Sequence, residues 1–143
     1  VLLAFPTEGW VEMSELSPPL IGLDLVDPVR LRKRLERTSG LAQELFHEGE
    51  LEYSHRQAEP TQHLAARFAA KEAVVKALGI DGWDPLDVEI VGGGEKTVVC
   101  LHGDLAARAA SLGVTVTVSL CHLANVAGAV ALARLASPNG CSE

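Results

Sequence analysis

Two carboxylates, Asp24 and Glu72, and the cations spaced around the second of them are the residues in this chain best placed to do chemistry. Glu72 lies in Arg67-Phe68-Ala69-Ala70-Lys71-Glu72-Ala73-Val74-Val75-Lys76-Ala77-Leu78-Gly79, which carries four charges in an otherwise apolar run. Read at a period of about 3.6 residues, Leu64, Phe68, Val75 and Leu78 form one apolar stripe of a helix. Ala66, Ala69, Ala70, Ala73 and Ala77 form the opposite side, where small side chains let a second backbone or a ligand come close. Arg67 and Lys71 fall on one edge of the stripe, Glu72 and Lys76 on the other. A largely enclosed helix that keeps a carboxylate between cations points to a site, because burying unpaired charge is costly. The plainer alternative is an i,i+4 link between Glu72 and Lys76 on a half-exposed helix, worth roughly a few tenths of a kcal/mol.

Asp24 must come from elsewhere in the chain. Ile21, Leu23 and Leu25 alternate with Gly22, Asp24 and Val26 as in a short strand, so Asp24 is a carboxylate within a β-run, where Asp is normally depleted. Asp27-Pro28 then supplies an N-cap and an N1 proline, and a helix starts at once. A carboxylate on a strand and another on a helix are the minimum for a hard divalent cation such as Mg²⁺. That ion takes one or two protein carboxylates and completes its shell with water and substrate phosphates.

These two segments resemble the 4'-phosphopantetheinyl transferases, in particular the short holo-acyl-carrier-protein synthase type. Gly22-Leu23-Asp24-Leu25-Val26-Asp27 matches that family's first motif, and Arg67 to Ala77 matches its second without a break. Leu45-Phe46, Glu48, Glu50-Leu51 and Tyr53 are similar to its connecting helical region. Val118-Ser119-Leu120-Cys121-His122 and Ala127-Gly128-Ala129-Val130 are similar to its closing hairpin. The resemblance implies a single-domain α+β fold, an antiparallel sheet packed on a long central helix. It also implies transfer of the phosphopantetheine arm of coenzyme A to a serine of an apo acyl carrier protein, releasing adenosine 3',5'-bisphosphate. Asp24 and Glu72 would then hold Mg²⁺, and Lys76, one turn beyond Glu72, would reach the same diphosphate. Glu72 and Lys76 become the catalytic candidates. Arg67 and His122 match family positions that contact nucleotide phosphates, and Gly79 opens a loop that lies near the coenzyme in relatives. Lys71 reads either as a coenzyme contact or as a structural partner of Asp27. The base that takes the serine proton is left open between a metal-bound water and Glu72. A catalytically silent relative that binds carrier protein or coenzyme A as a structural subunit is the alternative, which loss of either carboxylate would have favoured. Ile80-Asp81-Gly82, Gly94-Glu95-Lys96-Thr97 and Cys121 depart from the family pattern, and they bear on substrate preference more than on reaction type.

Charge narrows the partners. The net charge of −7 disfavours a general nucleic-acid binder. Yet Arg30, Arg32, Lys33, Arg34 and Arg37 crowd the first helix, with Arg30, Arg34 and Arg37 on one face. In the family this helix is where acidic carrier proteins dock, and complementary charge would speed and orient their encounter. Three cysteines without paired spacing favour a reducing cytoplasm. Cys100-x-His102 with Cys121-His122 can be drawn as a zinc set, but the spacing is unlike that of structural zinc sites. No apolar run approaches the ~18 residues of a membrane helix.

The chain of 143 residues reads as one domain, 20–136, with an N-terminal extension, 1–19, and a frayed tail, 137–143. Met13 stands where members of the family would start, so the residues before it read as part of a longer or alternative product. The spacing predicts helices over 28–38, 41–53, 61–78 and 104–112, and strands over 88–91, 97–101, 114–120 and 126–132. One such domain supplies only one wall of the coenzyme cleft that longer members of the superfamily build from two copies. A homotrimer with sites at its interfaces is therefore expected. The alanine face of the central helix and the strand Ala127-Gly128-Ala129 are the expected close-packing surfaces.

Overall fold

The structure, a computed structural model, describes residues 21–136, and the expectations for the N-terminal extension, Met13 and the tail fall outside them. The chain runs β1 (Ile21–Val26), α1 (Pro28–Arg37), α2 (Leu41–Leu45), α3 (Glu48–His55) and α4 (Pro60–Leu78). It continues through β2 (Val88–Val91), β3 (Val98–Leu101), α5 (Gly103–Leu112), β4 (Val114–His122) and β5 (Ala127–Leu135). Strands β1, β5 and β4 form one antiparallel sheet, in that order, and β2 and β3 form a separate hairpin. The expected α+β fold on a long central helix is the fold observed.

Helix α4 is enclosed almost all round. From Leu64 to Leu78 every residue is buried except Phe68, Glu72 and Lys76, which recur at i, i+4 and i+8 and so make one open ridge. Its alanines lie inside the subunit: Ala69, Ala70, Ala73 and Ala77 share a core with Ala129, Ala131 and Ala133 of β5. This corrects the expectation that the alanine face and Ala127-Gly128-Ala129 serve an interface between subunits. Their small size instead lets the sheet lie close on the helix. At Gly22 the approach is closest, since a Cβ there would sit 1.9 Å from the Ala73 carbonyl oxygen. The family-like motif needs its glycine for that reason, and Asp24 follows two residues later on the same inward face.

The binary pattern of β1 is inverted relative to an ordinary half-buried strand. Gly22, Asp24 and Val26 face α4, whereas Ile21, Leu23 and Leu25 are 62, 57 and 64 % exposed. Their β5 neighbours Val130 and Leu132 are exposed beside them, so the outer face of the sheet carries a contiguous apolar patch.

The single helix expected over 41–53 is two helices. Phe46 leaves the helical path in an extended conformation (φ −135°) to bury its ring edge-on against Phe68, with centroids 6.3 Å apart. Helix α3 then restarts at Glu48, with the His47 amide donating to Glu50 Oε2 at 2.9 Å. The β4–β5 ladder pairs from Val114↔Leu135 to His122↔Ala127, which brings Cys121 and His122 into the strand rather than the turn.

Candidate active site

Strand β1 and helix α4 bring Asp24, Glu72 and Lys76 together. The Lys76 ammonium donates to Asp24 Oδ1 at 2.7 Å and to the Leu23 carbonyl at 3.1 Å. The i,i+4 pair with Glu72 is not the one formed: Lys76 reaches across to the strand instead. Among the described residues Glu72 has no ion-pair or hydrogen-bond partner. Burial, with the charge of Asp24 added, pushes the Glu72 carboxyl above its ordinary range, and Lys76 only partly opposes this. Two hard oxygen donors facing one another, one of them unpartnered and strained by like charge, fit a divalent cation.

The raised Glu72 value fixes the sign of a pH effect. A carboxyl whose folded pKa exceeds its unfolded one favours folding fully below the unfolded value, and that contribution is lost as pH rises through the folded value. Glu72→Gln in metal-free protein should therefore be more stable than wild type at pH 7, by at most about 1 kcal/mol because Glu72 is partly exposed. The difference should vanish below about pH 4. Urea melts across that range are the measurement, and a variant less stable at pH 7 would contradict the stated electrostatics.

Clefts open on both sides of the Asp24–Lys76 bridge. One, of about 320 Å³, is lined by Asp24, Glu72, Phe68, Arg30 and Arg34. The other, of about 630 Å³, runs along Lys76, Gly79 and the Ile80–Trp83 loop. Gly79 ends α4 in the left-handed region (φ 59°), which turns that loop back over β1. Arg30 and Arg34 thus edge the carboxylate cleft, whereas Arg37, also exposed, stands outside it on the last turn of α1.

Arg67 and Lys71 point elsewhere. Lys71 is fully buried, 2.8 Å from Glu50 Oε2, and donates to the Pro85 carbonyl at 2.9 Å. This corrects the structural reading of Lys71: its partner is Glu50 rather than Asp27, and its ammonium is enclosed within this chain. Asp27 instead caps α1, accepting from Val29 N at 2.8 Å and Arg30 N at 3.1 Å. Burial lowers the Lys71 pKa, and Glu50 restores part of it. Arg67 is 3 % exposed, donates to the Gly92 carbonyl and lies 3.9 Å from the centre of the Tyr53 ring. Its Nε is buried without a partner.

Arg67 and His122 nevertheless belong to one cluster. The His122 ring is 4.5 Å from His63, which is 5.9 Å from Tyr53, the ring on which Arg67 stacks. His122 Nδ1 donates to Gln62 Oε1 at 3.1 Å. The pKa of His63 is lowered by burial, then by His122 and Arg67. Sequence reasoning missed His63 and Gln62, although His63 stands one helical turn before Arg67 and so had to lie beside it. The drawn zinc set does not assemble: Cys100 and Cys121 are free thiols, and His122 sits with His63 rather than with His102.

Comparison with known proteins gives the family. The family model of the 4'-phosphopantetheinyl transferase superfamily matches residues 20–124, which span the carboxylates, α4 and the His122 strand. The chain belongs to that superfamily. Within it, this transferase is of the holo-acyl-carrier-protein synthase type, and it is an enzyme. The holo-[acyl-carrier-protein] synthase of Streptomyces avermitilis is 46 % identical over 118 residues, covering 80 % of this chain and 95 % of that protein. The solved holo-ACP-synthase of Plasmodium yoelii superposes with a TM-score of 0.70 at 26 % identity, covering 84 % of this chain and 97 % of that one. An ACPS–CoA complex from Chronobacterium ammoniagenes gives a TM-score of 0.70 at 25 % identity, covering 82 % of this chain and 98 % of that one. Among the described residues no helix of the transferase is long and apolar enough to cross a membrane.

Proposed function

We propose that this phosphopantetheinyl transferase moves the arm of coenzyme A onto a serine of an apo acyl carrier protein with Mg²⁺, releasing adenosine 3',5'-bisphosphate. The observation that carries the reading is the Asp24–Glu72 pair with Lys76 bridging to Asp24, on the one open ridge of α4. Asp24 and Glu72 would hold Mg²⁺, which supplies Lewis-acid charge neutralisation at a diphosphate. Lys76, its side chain 53 % exposed, stands between the two clefts and can turn from Asp24 to a phosphate oxygen. In such transfers the protein contributes mainly position and charge, and these residues provide both. Glu72, with its raised pKa, is suited to take the serine proton when it is not committed to metal. Gly79 would let the following loop approach the coenzyme, and Arg67 and His122 would meet its nucleotide phosphates. Among the described residues Cys100 and Cys121 are free thiols, which fits a cytoplasmic setting. Incubation with coenzyme A, Mg²⁺ and a panel of apo carrier proteins, read by intact mass, tests the activity directly. No mass gain on any acidic carrier would refute it.

The docking helix is α1, whose Arg30 and Arg34 edge the carboxylate cleft and are exposed. Arg30→Glu with Arg34→Glu should raise the KM for carrier protein on the order of tenfold at low salt and flatten its salt dependence. The KM for coenzyme A should change little. An unaltered carrier KM would move the docking surface off α1.

Assembly follows from where the groups point. Arg67 and Lys76 are nine residues apart on α4, hence about 180° around it and ~13 Å along it. A coenzyme held at Lys76 of one chain would draw its Arg67 and His122 contacts more readily from a neighbouring chain. The exposed apolar patch of Ile21, Leu23, Leu25, Val130 and Leu132 is a surface such a neighbour would cover. A cyclic homotrimer with three shared sites is the expected state. Light scattering should give three times the chain mass, and Leu23→Asp should yield monomers with little activity. A fully active wild-type monomer would sink the shared site.

A further inference from the structure

We propose that His47, Glu89 and His102 form a second metal site, selective for a zinc-class cation and separate from Asp24 and Glu72. His47 precedes α3, Glu89 lies on β2, and His102 joins β3 to α5. Each offers a ligand atom within 4.8 Å of the other two. The His102 Nε2 to Glu89 Oε2 distance is 3.2 Å, close to the ~3.3 Å between donors of a tetrahedral zinc ion. Their side chains are 46 % and 26 % exposed, so small rotations can close the remaining gap to His47.

The His47 ring is held in place by the fold. Its Nε2 donates to the Leu86 carbonyl at 2.8 Å, which holds the ring and leaves the lone pair on Nδ1. A ligating histidine usually makes such a second bond. At the start of α3 the His47 side chain also accepts from the Glu50 amide in a capping box. A metal at Nδ1 would replace that bond, and the Glu50 amide keeps the His47 carbonyl at 3.0 Å. The two rings are 5.3 Å apart and tilted by 41°, converging rather than stacked flat. Two imidazoles and a carboxylate select zinc, cobalt or nickel over magnesium, which prefers oxygen donors. The fourth position would face solvent.

The site shares no residue with either cleft beside the carboxylates, so it stands apart from the proposed transfer chemistry. It would tie the start of α3 to the β2–β3 hairpin and the start of α5. Glu50, three residues after His47, accepts from Ile90 N of the same hairpin and pairs with Lys71 of α4. Metal at His47 would therefore clamp the loop from which the central helix gains its buried partner.

Co²⁺ alone is the probe, with visible absorption as the readout. Wild type and Asp24→Ala should each develop the intense band of one four- or five-coordinate nitrogen–oxygen Co²⁺ site. His102→Ala and Glu89→Gln should weaken that band's titration at least tenfold. Zn²⁺ should raise the melting temperature of wild type by a few degrees and leave that of His102→Ala unchanged. Absence of the intense band in wild type, or its survival in His102→Ala, would overturn the proposal. So would its loss in Asp24→Ala, because the ion would then belong to the other pair.

Discussion

Asp24→Ala and Glu72→Ala should each lower phosphopantetheine transfer on the order of 10³-fold while leaving the far-ultraviolet spectrum and melting temperature close to wild type. Asp24 and Glu72 lie at the rim of a cleft rather than in the packed core, so truncation removes a metal ligand but little buried apolar surface. Asp24→Ala also frees Lys76, whose remaining hydrogen bond is to the Leu23 carbonyl. Intact-mass kinetics with coenzyme A, Mg²⁺ and apo carrier protein measure the effect. Near-normal turnover by either variant, or wild-type activity that survives full chelation, would show that the pair does not hold the metal.

The second large effect is on stability. Lys71→Ala should cost about 3–5 kcal/mol, because it strips the partner from a carboxylate that is itself fully buried. Glu50 would keep its bonds from the His47 and Ile90 amides, at 2.9 and 3.2 Å, but no countercharge. Against a total stability of roughly 5–15 kcal/mol, that loss is enough to leave a sizeable unfolded fraction at 37 °C. The double variant Glu50→Gln with Lys71→Met should recover only part of it. No unpaired charge is left inside, but the Gln amide can accept from only one of the His47 and Ile90 amides and the Pro85 carbonyl loses its donor. Urea midpoints at constant slope report both results. A loss under about 1 kcal/mol for Lys71→Ala would mean that water or a neighbouring group replaces the ammonium.

Exposed apolar residues on β1 show where sequence patterning misleads. Alternation was legible over 21–26, and it correctly gave a strand, but it could not say which face turns inward. Packing decides that. Only glycine fits where the strand meets the backbone of α4 at Ala73, so Gly22 and with it Asp24 turn toward the helix. Leu23 and Leu25 are left outside for the same reason. The ridge of α4 behaves similarly: helical spacing separated Arg67 and Lys71 from Glu72 and Lys76, but not which pair stays open.

By itself the sequence determined the element order apart from the break at Phe46, the strand-borne Asp24 with the helix-borne Glu72, the basic face of α1, and the family motifs that join them. These are local signals, carried by residues one to four positions apart, where period and capping chemistry act directly. Tertiary structure alone decided the partners: Glu50 for Lys71, Asp24 for Lys76, and His63 with Tyr53 between Arg67 and His122. Asp24 and Lys76 are 52 positions apart, and Glu50 meets Ile90 across 40. No periodicity spans such separations. Those contacts exist because burial forces each charged or polar group to find whichever complementary group the packed elements bring within reach.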